Sequence, residues 1–149
     1  MAQASILELL TAFQQEKIGQ VELESGLEAQ IQLCQRRQEE LAKARIQPED
    51  QEVWERDLRP GLDACYEGLI GAASEALEYA KSRNEALVPG IVGLLQEVER
   101  ITGFLESQAG VTSAATRQLV QQGIEGQQDG LALGVSQGSA ESQVTFLEE

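Results

Sequence analysis

Apolar residues recur at helical spacing along most of the chain, and they divide it into segments. Ile6, Leu7, Leu10 and Phe13 share one side of a short amphipathic helix within residues 1–18. Ser5 with Glu8 three residues on reads as its capping box. Gly19 weakens the helix after Lys17. Leu23, Leu27, Ile31, Cys34 and Leu41 then return at intervals of three, four or seven, with Gln38 in the vacant place, and predict a helix over about 20–45. Glu28, Gln35, Arg36, Glu39 and Lys43 fall on the other faces.

Ile46-Gln47-Pro48-Glu49-Asp50 reads as a turn into a third helix. Pro48 suits the first helical turn, and the acids after it complement the positive end of the dipole. Its stripe is Trp54, Leu58, Leu62, Cys65, Leu69, Ala73, Ala76 and Ala80, and the helix is expected to reach about Arg83. Glu52 with Arg56 and Glu55 with Arg59 are expected to pair across one turn. Pro60 removes a hydrogen bond inside this pattern and predicts a kink between Arg56 and Pro60.

Leu87, Ile91, Leu94, Val98, Ile101 and Leu105 form the cleanest stripe, in a fourth helix ending near Ser107. It keeps the phase of the third, so 49–107 reads either as one long kinked helix or as two, with Pro89 favouring a break near 84–89. Beyond residue 107 the chain turns rich in Gln, Gly and Ser. Thr112 or Ser113 caps a weak helix over 113–124 through Leu119, Val120 and Ile124, and the rest reads as a flexible tail. A short apolar run, Val144, Phe146 and Leu147, stands near the end of the tail.

The expected fold is therefore all-α: an antiparallel bundle of three main helices, a short N-terminal helix and a flexible C-terminal tail. The bundle domain is assigned to 1–107 and the tail to 108–149. Folding about a turn near residue 47 brings Cys34 and Cys65 within about one helical turn of each other. With 42% apolar but only 4% aromatic residues, the core must be built from aliphatic side chains and alanine.

Charge narrows the partners. Eleven Lys and Arg stand against 25 Asp and Glu, a net of −14. Such a chain repels phosphate, so nucleic acid and anionic membrane surfaces are disfavoured. The N-terminus has no basic n-region, and the longest apolar stretch, Leu87 to Leu95, is far below the ~20 residues of a membrane span. A cytoplasmic location and two reduced, buried cysteines follow as expectations.

The chain contains no His. It thus lacks the commonest general base, metal ligand and pH switch. Two separated cysteines do not make a zinc site, and no phosphate loop, dinucleotide fingerprint or EF-hand occurs. Glu49, Asp50 and Glu52 form the densest acidic cluster, which helix-start chemistry accounts for. No catalytic residue, cofactor or metal is assigned.

Two features stand out. Ala64, Gly68, Ala72, Ala76 and Ala80 form a ridge of small residues, with Gly68 expected at its tightest point. Val88, Val92 and Leu95 widen the fourth helix's stripe to about half its circumference. Both features fit packing within the chain. The second reading is a contact with another chain, for which Val88, Val92, Leu95, Ala64, Gly68 and Ala72 are the candidate interaction surface. The function expected is a non-enzymatic, self-associating interaction module, an adaptor, small chaperone or assembly subunit, with a protein partner or a second copy. The alternative is a bundle holding an apolar small molecule between helices.

Overall fold

A computed structural model describes residues 6–131, with side chains described through residue 125. Ser5 and the Val144–Leu147 run lie outside the described residues. Among those described, every regular element is helical and no strand occurs.

Helix α1 spans Ile6–Gln14 and buries Ile6, Leu10 and Phe13. It ends earlier than Gly19 suggests, by a Schellman-type closure. Lys17 donates its backbone N–H to Ala12 and Glu16 donates to Phe13, while Glu16 itself adopts φ 62°. Gly19 instead precedes α2, Gln20–Ala42, and its N–H donates to the Glu22 carboxylate at 2.7 Å. Helix α2 buries Leu23, Leu27, Cys34 and Leu41, together with Gln30, whereas Ile31 is only half-buried. Gln38, the polar member of the stripe, donates to the Glu67 carboxylate at 2.8 Å.

The third helix starts through three short pieces. A 3-10 turn, Pro48–Asp50, leads into α3, Gln51–Val53, and then into a π-helical turn, Trp54–Leu58. In that turn Arg59 donates to the Trp54 carbonyl, five residues back. The local defect falls where Pro60 was expected to act, one turn ahead of the missing N–H, and it takes the form of a widened turn. Helix α4, Arg59–Ser82, continues directly from this turn and carries Pro60 at its second residue. Arg56 pairs with Glu52 at 3.7 Å, whereas Arg59 pairs with Asp63 at 3.6 Å. Glu55 accepts a bond from Gln51.

The break expected near 84–89 is present. Arg83 takes a left-handed conformation, φ 57°, which ends α4, and its guanidinium lies 4.3 Å from the Phe13 ring centre. The Asn84 side chain accepts from the Ala86 N–H and starts a 3-10 turn, Glu85–Leu87. Helix α5, Val88–Ala109, follows with Pro89 in its first turn. The last described helix is α6, Ala114–Leu131, longer than the 113–124 expected.

Helix α4 is the central element. It packs against α5 on one side and α2 on the other, with α1 and α6 completing its surroundings. Leu62, Cys65, Leu69, Ala72, Ala73, Ala76 and Ala80 are all buried there. In the α4–α5 contact, Gly61 faces Leu105, Gly68 faces Val98 and Gly71 faces Leu94, so the two helices run in opposite directions. A Cβ on Gly68 would lie 2.7 Å from Val98 Cγ2, and one on Gly61, outside the small-residue ridge, 2.5 Å from Leu105 Cδ2.

The boundary drawn after residue 107 does not coincide with a break in packing. Val120 and Ile124 of α6 are buried in the same core as the preceding helices. Three or four aliphatic residues suffice to seat a helix whose composition looks like a tail, because burial rather than propensity supplies most helix stability in a protein.

Candidate interaction surface

A helix presents a strip of side chains wider than its core stripe, and what lies on the margin depends on the neighbour. Leu105 seats on Gly61, which turns the preceding residue, Phe104, outward; it is 44% exposed. Phe104 and the half-buried Ile101 form one wall of an open groove between α5 and the start of α4. Pro60, Gly61 and Ala64 form the opposite wall, and Arg56, Asp57 and Arg100 close its ends.

The two guanidinium groups are already paired. Arg56 donates to Asp57 at 2.9 and 3.0 Å, and Arg100 donates to both oxygens of Glu97. These hydrogen bonds, ahead of Coulomb attraction, raise both guanidinium pKa values and lower that of Glu97. The rim is thus polar but locally neutralised around an apolar floor.

The structure separates the six residues singled out by pattern. Ala64 is exposed in this groove. Gly68 is half-buried against Val98 of the same chain. Ala72 and Leu95 are buried in the core, Val88 is half-buried against it, and Val92 is half-buried. Phe104 escaped the pattern reading, whereas Ile101 reads as a stripe position and Pro60 as a kink. The available signal was an aromatic residue beside Leu105 yet off the stripe, in a chain with only three Phe.

The acidic cluster at the start of the third helix also proves divided. Glu49 and Glu52 are exposed, but Asp50 is buried at 4% exposure. Its carboxylate accepts the Ser113 hydroxyl at 2.5 Å, the Thr116 hydroxyl at 2.6 Å and the Ser113 backbone N–H at 3.3 Å. Asp50 therefore serves the start of α6, 63 residues along the chain, rather than its own helix. Bonds from Ser113, then from Thr116, hold the Asp50 carboxyl below the usual carboxylate range.

The two cysteines and Tyr66 are also enclosed in the core. Both cysteines are free thiols and buried. Desolvation pushes Cys34 up to about 11, and the Cys65 thiol donates to the Val98 carbonyl at 3.7 Å. Tyr66 is likewise pushed up to about 12 by burial, and its hydroxyl donates to the Gly123 carbonyl at 2.8 Å. Among the described residues no cluster of His, Cys, Asp or Glu is placed to hold a metal ion. No helix among them is long and apolar enough to cross a membrane.

Fold and site together define an all-α protein with an aromatic-lined surface groove. Comparison with known proteins finds no matching family model, no matching curated protein and no matching solved structure.

Proposed function

We propose that this chain is a non-enzymatic helical interaction module, an adaptor, small chaperone or assembly subunit that self-associates, built on an antiparallel frame of α2, α4 and α5. The observation that carries the reading is Phe104, an aromatic side chain 44% exposed beside Pro60, Ala64 and Ile101. Large exposed aromatics at the edge of a groove are favoured at protein contacts, where they bury much area at little entropic cost. The net charge of −14 supports a protein partner over nucleic acid.

The apolar-ligand reading is less well supported. The recess bounded by Tyr66, Leu41, Leu119 and Gly123 holds about 200 Å³, below the ~300 Å³ at which small-molecule pockets begin. The Phe104 groove is larger but open to solvent along its length.

Sedimentation velocity over a wide protein concentration range tests the proposal. A reversible oligomer is expected for the parent chain, and Phe104→Ser should weaken it at least about tenfold, the loss of roughly 1.4 kcal/mol typical of an aromatic contact residue. Thermal stability should barely change. A parent chain that stays monomeric at millimolar concentration, or an oligomer indifferent to Phe104→Ser, overturns self-association through this groove.

A further inference from the structure

We propose that α6 is a detachable cover over the α2–α4 face, latched in place by Asp50. The first turn of α6 has its polar groups gathered on one carboxylate: the Ser113 hydroxyl, the Ser113 N–H and the Thr116 hydroxyl all donate to Asp50. A carboxylate at this position also faces the positive end of the α6 dipole. Arg117, which donates to the Thr112 carbonyl, contributes a nearby positive charge. Glu49 and Glu52 on the Asp50 side are exposed.

Among the described side chains beyond the latch, Val120 and Ile124 are buried, Leu119 is half-buried, and the Tyr66 hydroxyl donates to the Gly123 carbonyl. A recess already separates Leu119 and Gly123 from Leu41 and Tyr66. The helix itself is weak. Gly123, Gly126 and Gly130 fall within its 18 residues, and glycine is the poorest helix former after proline.

A segment with few buried apolar side chains and low helix propensity opens at lower free energy than the core it covers. Helix α4 has the opposite character: nine of its residues are buried. Opening of α6 uncovers Leu62 and Tyr66, at 0% and 1% exposure in the closed form. It thereby converts a sealed core into an accessible apolar face. The latch does not depend on the Phe104 groove or on self-association.

Native-state hydrogen exchange on the full chain, read peptide by peptide at low denaturant, tests the latch. Amides of 116–125 are expected to exchange through a sub-global opening, with a shallower denaturant dependence than those of α4. Asp50→Asn places an amide donor among three donors, so α6 exchange should quicken at least about tenfold, as for a lost charge-assisted hydrogen bond, while α4 and α5 stay unchanged. Ser113→Ala keeps the carboxylate and should give a smaller acceleration confined to α6. The proposal is overturned if α6 and α4 exchange alike in the parent chain, with one denaturant slope. It is equally overturned if a folded latch variant accelerates all helices together, or leaves α6 unmoved. Should Asp50→Asn not fold, the parent chain and Ser113→Ala decide between these outcomes.

Discussion

Gly68 on α4 and Val98 on α5 meet with no room for a methyl group between them: a Cβ on Gly68 would stand 2.7 Å from Val98 Cγ2. Valine is stiff about χ1, so it cannot swing aside as a leucine tip would. The contact lies inside one chain, and it gives the glycine a reason that offsets its poor helix propensity.

Gly68→Leu is therefore expected to overpack the α4–α5 contact and cost about 1–3 kcal/mol. Gly93 and Gly103 on α5 are the controls, since a Cβ at either would meet nothing within 4 Å. Gly93→Ala and Gly103→Ala should each stabilise by up to ~1 kcal/mol through helix propensity alone. Thermal and chemical unfolding of the three variants measures both signs. A Gly68→Leu chain as stable as the parent would show that the two helices do not touch there.

Asp50 predicts an acid limb. Its folded pKa is depressed by the bonds from Ser113 and Thr116. The associated stability is then fully present above the unfolded-state value of about 3.9 and is lost as pH falls through the lower folded value. The groups around it are Arg117 on α6 and the exposed Glu49 and Glu52 on its own side. Between pH 7 and 5, roughly the range above all ordinary carboxylate titrations, this group should contribute no pH dependence. NMR titration of the Asp50 carboxyl should give a midpoint below the ordinary value; one at or above it contradicts the hydrogen-bond geometry.

The thiols should be inert in the folded chain. Cys34 is pushed up to about 11 by burial, so its thiolate is scarce at pH 8, and Cys65 is wholly buried. Ellman's reagent should label neither residue under native conditions and both after unfolding. Rapid native labelling of one thiol would place it at the surface.

Metal should be irrelevant to stability. The chain has no His, and its described side chains form no ligand cluster. EDTA is expected to leave the thermal midpoint unchanged. A fall of about 4 °C or more, roughly 1 kcal/mol for a domain near 100 residues, would instead reveal a bound ion.

The helices were legible because their signal is local. The spacing of Leu23, Leu27 and Cys34, or of Ile91, Val98 and Leu105, follows from 3.6 residues per turn and needs no knowledge of a neighbour. Pro89 likewise marked a real break, since proline in a first turn acts on its own segment. What periodicity could not decide was which helix lies at the centre. A stripe counts apolar residues but not the volume between helices. Alanines and glycines let α4 take the middle place, although α5 carries the larger aliphatic stripe.

Tertiary structure alone determined the roles of Asp50 and Phe104. An acidic residue after Pro48 reads locally as a complement to its own helix dipole, and only the return of the chain brings Ser113 and Thr116 onto it. Phe104 stands beside a core leucine, and its exposure is decided by where Gly61 admits Leu105. The sequence by itself determined the all-α class and the helix core segments, because backbone hydrogen bonding and side-chain period are properties of contiguous residues. Which faces meet, and which polar group caps which helix, belonged to the tertiary structure, because those energies arise between residues far apart in the chain.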